Sequence, residues 1–176
     1  MHIPDRIIEI GGADRPVVPR RVREYLGIDP QYGNRVCRER TKAALEIWDV
    51  CAALLGEYIE KVPIDSVAPS ELVLMRNVLG NKVGDRINTV RSALGFVSRG
   101  GVLVVLEDIT AAQARLDEVE AAMEQEGHWA AVFGAAQNTF KNISEDLGLI
   151  EPSLPHKLLL VRPEADPFRA IAGELT

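Results

Sequence analysis

Apolar positions along this chain fall into two patterns that alternate from one end to the other. Short continuous runs occur at RIIEI (6–10), EYLGID (24–29), LVLM within SELVLMRNVL (72–75), GGVLVVLED (100–108), HWAAVFGA (128–135) and HKLLLVRP (156–163). A weaker run, GEYIEKVPI (56–64), falls between the second and the third of these. Apolar runs of this length, bounded by Gly, Pro or acidic residues, predict buried strands. Between them the period changes to 3.6. Ala44, Ile47, Trp48, Cys51, Leu54 and Leu55 share one face of a helix predicted over 40–55, and Val83, Ile87, Val90, Leu94 and Val97 do the same over 82–97. A third helix is predicted from Thr110, where Thr110 and Gln113 form a capping box. It runs to about Gly127, a residue suited to the position just past a helix.

Continuous apolar strands interleaved with amphipathic helices predict an α/β fold, a mostly parallel sheet covered on both faces. The last strand follows a loop rich in polar and turn residues, which suits an antiparallel strand at one side. No repeat, low-complexity tract or linker interrupts the chain, so a single domain is expected over 1–176, with a sheet core at about 5–163 and a tail, 164–176, read as a loosely attached helix.

Composition narrows the classes. Hydrophobic residues at 47% and charged residues at 26% are ordinary globular values and argue against disorder. A net charge of −6 suits a soluble protein and gives no strong nucleic-acid signal, without excluding a local basic groove. Cys37 and Cys51 have no zinc or redox spacing, and Cys51, on the apolar face of the first predicted helix, is expected to be buried and inert. The start MHIPDR lacks the basic and apolar regions of a signal peptide, and no apolar run is long enough for a bilayer. The expectation is a cytoplasmic, reduced setting with no membrane partner.

In an open α/β sheet, ligands bind outside the carboxyl ends of the strands, where the strand order reverses. The residues there are Glu9, Gly11, Gly12, Ala13 and Asp14, then Asp29 with Pro30, Glu57 and Glu60, Asn77, and finally Glu107 and Asp108. Glycines let backbone approach a ligand closely. Asp29 lies about eighteen residues beyond them, where a carboxylate accepts the hydroxyls of a ribose. The plainer alternative is that Gly12 makes a tight turn and Asp29-Pro30 caps a strand.

The order of segments resembles the class I S-adenosylmethionine-dependent methyltransferases over residues 5–163. IIEIGGADRP is similar to their first motif, YLGIDPQ to the second strand with its ribose-binding acid, SELVLMRNVLG to the fourth-strand motif, and FVSRGGVLVVLED to the turn into the fifth strand. The resemblance implies a Rossmann-like three-layer sandwich whose mostly parallel seven-stranded sheet ends in an antiparallel strand. It implies S-adenosylmethionine as cofactor and S-adenosylhomocysteine as product. Glu9, Gly11, Gly12 and Ala13 would surround the methionine portion, Asp29 with Pro30 the ribose, Glu57 and the segment to Val62 the adenine, and Asn77 the meeting point of methyl group and acceptor.

The chain departs from the family pattern in two places. Ala13 and Arg15 stand where the second and third glycines usually do, and about ten residues, Pro16 and Pro19 among them, separate Ala13 from the next strand. The first helix is therefore expected to be shortened to one turn starting near Pro19, or replaced by a loop, since proline inside a helix costs about 3 kcal/mol. The first strand also begins about five residues from Met1, which leaves an open acceptor site. Such a site suits a large substrate, a partner or second copy that closes it, or a lid drawn from segments 30–40 or 135–155.

No catalytic residue is assigned. Asp14, Glu107, Asp108, His128 and His156 are the available general bases, each with a structural alternative, and no carboxylate–histidine cluster predicts a metal. Tyr32, Arg35, Arg38 and Arg40 read as a solvated basic loop or as a clamp on an anionic acceptor. Trp48 is expected in the core; Trp129 and Phe133 suit either core or ligand. The leading expectation is methyl transfer to an unidentified acceptor, a small molecule. The alternatives are a catalytically silent domain of the same fold acting as a binding module or subunit, and an NAD-binding oxidoreductase. The last is disfavoured by the absence of GxGxxG.

Overall fold

The computed structural model describes residues 5–13, 15–18, 22–80, 85–108, 116–133 and 156–163. Its frame is a sheet of seven strands: β1 (Arg6–Ile10), β2 (Glu24–Ile28), β3 (Cys51–Leu55), β4 (Ser70–Arg76), β5 (Val97–Asp108), β6 (Trp129–Phe133) and β7 (His156–Arg162). Their order is β3-β2-β1-β4-β5-β7-β6. β1 pairs parallel with β2 on one side and β4 on the other, with Ile8 opposite both Leu26 and Val73. β7 runs antiparallel between β5 and β6, as expected of the last strand. The chain travels outward from β1 to β3, then returns to β4 on the other side of β1, so the reversal of order falls between β1 and β4.

Both faces of the sheet are covered. On one, α2 (Arg86–Leu94) and α3 (Leu116–Gln125) bring Val90, Ala93, Leu94, Leu116, Val119 and Met123 against Ile8, Val73, Leu103 and Leu159. On the other, Leu45 of α1 (Arg35–Glu46) joins Ile7, Tyr25, Leu72, Leu74 and Val104. Ile7 and Ile8 are successive residues of β1, both fully buried, one in each core. That is why the central strands read as unbroken apolar runs. Among the described residues no helix is long and apolar enough to cross a membrane.

Several expected boundaries shift. The helix predicted over 40–55 is a helix followed by a strand. Asn34 caps α1 by accepting from the N–H groups of Val36 and Cys37, so the helix starts at Arg35. Asp49, in the left-handed region at φ 56°, turns the chain into β3. The third strand is thus CAALL, and the expected strand GEYIEKVPI is instead a loop with single 3₁₀ turns at Ile59–Lys61 and Ile64–Ser66. The shared helical face was a coincidence of spacing across that turn, and three expectations fall with it: Cys51 is exposed on the edge strand, Trp48 is 60% exposed rather than in the core, and Ile47 is 82% exposed. β5 starts at Val97, ahead of Gly100-Gly101, with a register shift against β4 between Ser70 and Leu72. The helix expected over 82–97 is α2, which ends at Leu94, so Val97 opens β5 instead of closing the helical face; Gly127 takes the left-handed conformation (φ 85°) just after α3, as expected. The capping box at Thr110, the turn near Pro19, the segment 135–155 and the tail 164–176 lie outside the described residues.

Candidate functional site

Where β1, β2 and β4 end, the sheet opens into a pocket of about 440 Å³, within the usual range for small-molecule sites. Gly11 and Ala13 form one wall, Asp29, Pro30 and Gln31 a second, Glu57, Tyr58 and Ile59 a third, and Asn77 and Val78 the last, over a floor of Ile10 and Ile28. Gly11 sits at φ 82°, and its N–H bonds to the Ile28 carbonyl at 3.0 Å. An added Cβ there would meet the Arg76 carbonyl oxygen and Val78 Cγ2, both at 2.5 Å. Ala13 (φ 45°) and Asn77 (φ 53°) are also left-handed, so two strained non-glycine residues face this pocket. Asp29 closes the second wall. Its Oδ2 accepts from the Ala13 N–H at 3.2 Å and its Oδ1 from the Gln31 N–H at 2.8 Å. A carboxylate has about four acceptor positions, so each oxygen retains capacity for a further donor.

Two of these walls, on the loops after β1 and β4, are each held by a buried glutamate. Glu107, 1% exposed at the end of β5, accepts from the N–H groups of Val78 (2.8 Å), Leu79 (2.7 Å) and Gly80 (3.0 Å). Burial raises its carboxyl above the ordinary value, and those N–H groups pull the other way. Glu9 is fully buried and serves the loop after β1. Its Oε2 accepts from the Tyr25 hydroxyl at 2.7 Å and the Val17 N–H at 2.9 Å, and its Oε1 accepts from Arg76 Nε at 3.0 Å. Arg76 Nη2 also donates to the carbonyls of Gly12 (3.2 Å) and Arg15. Burial raises the Glu9 carboxyl, opposed by Arg76, Tyr25 and Val17. Burial and the neighbouring Glu9 lift Tyr25 well above its ordinary range, and burial lifts Tyr32, so both hydroxyls keep their protons. Tyr25 donates to Glu9, which makes Tyr32 the donor in the 3.3 Å contact between the two hydroxyls.

Of the residues singled out in the sequence, Gly11, Ala13, Asp29, Pro30, Glu57 and Asn77 meet in this pocket. Glu9 and Gly12 lie behind it. Alternation along a strand explains Glu9: Ile10 faces the pocket floor, so Glu9 points to the opposite side with Ile7. Gly12 is buried, and an added Cβ there would meet Glu9 Oε2 and the Tyr25 hydroxyl, both at 2.8 Å. Glu60 turns away to bond the Thr89 hydroxyl. Among the candidate bases, Glu107 is committed to backbone N–H groups. His128 precedes β6 at the opposite end of the sheet, with Nδ1 3.1 Å from the Pro163 carbonyl. Asp14 and the side chains of Asp108, Phe133 and His156 lie outside what is described. The basic segment 30–40 is a 3₁₀ turn and the start of α1 rather than a loop. Tyr32 is buried, Arg35 pairs with Glu39 at 2.7 Å, and Arg38 Nε bonds the Tyr32 carbonyl at 2.9 Å. Trp129 stacks under Arg162, 5.6 Å from its ring centre, also away from the pocket. Among the described residues no group of His, Cys, Asp and Glu is arranged to hold a metal.

The sequence reading missed Arg76, Tyr25, Gln31 and Val78. Arg76 carried a usable signal, since it immediately precedes Asn77 and has the parity of Leu72 and Leu74, which face the same side as Glu9.

No family model matches the sequence, and no curated protein matches it either. Solved structures do. An S-adenosylmethionine-dependent methyltransferase from Clostridium acetobutylicum superimposes with a TM-score of 0.64 at 7% identity, covering 91% of this chain and 84% of that one. An rRNA methylase from Streptococcus thermophilus gives 0.61 at 11% identity, covering 92% and 87%. The N-methyltransferase NodS from Bradyrhizobium japonicum gives 0.60 at 12% identity, covering 93% and 87%. The chain has the class I S-adenosylmethionine-dependent methyltransferase fold, with the strand order typical of it.

Proposed function

We propose that this protein is an S-adenosylmethionine-dependent methyltransferase whose acceptor is a small molecule. The observation that carries the reading is the pocket at the strand-order reversal, with the Asp29 carboxylate anchored on its wall and acceptor capacity to spare. The residues present fit the cofactor. Asp29 is suited to the ribose hydroxyls, and Gly11 and Ala13 leave room for the methionine portion. Pro30, Ile59 and Val78 offer apolar surface to a flat base, and Glu57 offers an acceptor to its amino group. When bound, the cofactor supplies an electrophilic methyl group and its own leaving group. The protein's part is then alignment, which a rigid pocket provides without a general base unless the acceptor must lose a proton. Asn77 stands at the pocket rim, where its side chain is suited to orient an acceptor.

The net charge of −6 supports a small acceptor over a nucleic acid, although solved structures of this fold include rRNA methylases. An NAD-dependent oxidoreductase is disfavoured by the sheet, in which antiparallel β7 lies between β5 and β6. Dinucleotide-binding sheets run 3-2-1-4-5-6.

Calorimetric titration with S-adenosylmethionine, S-adenosylhomocysteine and NAD tests the reading. Binding of the first two, weakened at least about tenfold in Asp29→Ala, is the expected result; tenfold corresponds to 1.4 kcal/mol. Failure of both to bind at high micromolar concentration overturns it. Binding without transfer to any small-molecule or RNA acceptor would favour a silent domain that uses the same pocket for recognition alone.

A further inference from the structure

The loop after β1 is built without a helix among its described residues, yet several of its backbone polar groups are bonded by side chains. A helix would satisfy its interior groups internally, leaving its first N–H and last C=O groups free. Here the side chains of two sheet residues take that role. Arg76 donates from one nitrogen to the carbonyls of Gly12 and Arg15, while Glu9 accepts the Val17 N–H. The two side chains are themselves paired at 3.0 Å, with Glu9 fully buried and Arg76 20% exposed. The segment so held carries Ala13, whose left-handed backbone directs its N–H to Asp29.

We infer that Arg76 is a positioning residue: it braces residues 11–13 and 15–18, where the described residues form no helix, in the shape that receives the cofactor. The cofactor half of this inference rests on the function proposed above; the brace itself does not. Arg76 does not line the pocket, so its effect passes through the loop. The task needs arginine. Its planar fork sends Nε to Glu9 and Nη2 to the two carbonyls, whereas the single ammonium of a lysine cannot reach both sets in one geometry.

The test uses Arg76→Lys, Arg76→Met and the double variant Glu9→Gln/Arg76→Met. The double variant guards against failure to fold, because it leaves no unpaired buried charge. Amide exchange is read over residues 11–18, with residues 78–80, held by Glu107, as internal reference. S-adenosylhomocysteine affinity is read by calorimetry. The expected result for Arg76→Lys and for the double variant is exchange at 11–18 accelerated about tenfold or more, exchange at 78–80 unchanged, and affinity lower by about 10–100-fold, the range for loss of a group that orients a ligand-holding side chain at metal sites. Unchanged exchange at 11–18 overturns the brace, and so does exchange that rises equally at 78–80, which marks a global loss of stability. Faster loop exchange with unaltered affinity overturns the positioning role. If the wild-type protein binds neither S-adenosylmethionine nor S-adenosylhomocysteine, the proposed function falls and the positioning role with it, while the exchange comparison still decides the brace.

Discussion

Substitution of Gly11 by alanine separates what the loop after β1 requires from what any left-handed glycine requires. Gly11 and Gly127 share a backbone conformation, φ 82° and φ 85°. Their surroundings differ. A Cβ at Gly127 would meet nothing within 4 Å, whereas at Gly11 it would fall 2.5 Å from the Arg76 carbonyl oxygen and 2.5 Å from Val78 Cγ2. The left-handed conformation costs an alanine about 1–2 kcal/mol at either site. Only at Gly11 is a steric penalty added, and overpacking of a tight site costs about 1–3 kcal/mol. One of the opposing atoms is backbone within the β4 end, which cannot give way as a side chain can. Gly11→Ala is therefore expected to lose about 2–5 kcal/mol, and Gly127→Ala about 1–2 kcal/mol.

Urea unfolding followed by far-ultraviolet circular dichroism measures both, and equal slopes in the two variants would show that the midpoints report stability alone. In a chain of this size each kcal/mol moves the melting temperature by about 2–4 °C, so a thermal scan should separate the variants as well. If Gly11→Ala is no less stable than Gly127→Ala within about 0.5 kcal/mol, the close approach of β4 to this loop is not what selects glycine, and the reasoning fails.

Asp29→Ala removes the acceptor of the Ala13 and Gln31 N–H groups, and a loss of about 1–2 kcal/mol in urea unfolding is expected, typical of a lost cap; no loss would mean that these bonds are replaced by water. Burial raises Glu107 above its ordinary value of 4.5, so its contribution to stability is complete below that pH and is lost as the pH rises through the folded value. Glutamine does not titrate, so the unfolding free energy of wild type minus Glu107→Gln should fall as the pH rises above 4.5, and a constant or rising difference would refute the assignment. Trp48→Ser, at a 60% exposed site, is expected to change stability by less than about 0.5 kcal/mol, and a loss typical of a core tryptophan would refute its placement.

The strands buried on both faces were legible in the sequence because burial on both sides leaves few polar positions to break the run, Glu9 being the exception in β1. RIIEI and β1 coincide residue for residue. β3 was illegible for the opposite reason. It is the edge strand, its residues alternate between exposed and half-buried, and CAALL is too short for any period to be measured. Its leucines then lengthened the helix before it on paper. The stronger signals at that boundary were local: Asn34 as a cap, and Asp49 as one of the few residue types that tolerate the left-handed turn. The pocket walls divide in the same way. Gly11, Asp29 and Asn77 follow from their places at strand ends, whereas Val78 comes from a loop whose path no periodicity describes.

The departures from the glycine pattern become intelligible once each glycine is matched to its physical task. By analogy with the dinucleotide-binding turn, whose third glycine lies one position further on, the first glycine makes the tight turn, the second lets backbone approach the ligand, and the third lets the helix pack closely on the strand. Gly11 retains the first task, at φ 82° and under a carbonyl that excludes any side chain. At the second place Ala13 keeps the left-handed backbone at φ 45° and adds only a methyl group to the pocket wall. At the third place stands Arg15, and there the task itself has vanished, because its N–H closes a turn onto the Gly12 carbonyl at 3.1 Å instead of opening a helix. Its own carbonyl is taken by Arg76. Helix packing demanded a small residue at this position; bracing by a guanidinium demands only a backbone carbonyl, which every residue has. The chain could therefore lose the third glycine without losing the loop, provided that Glu9 and Arg76 were both present beneath it.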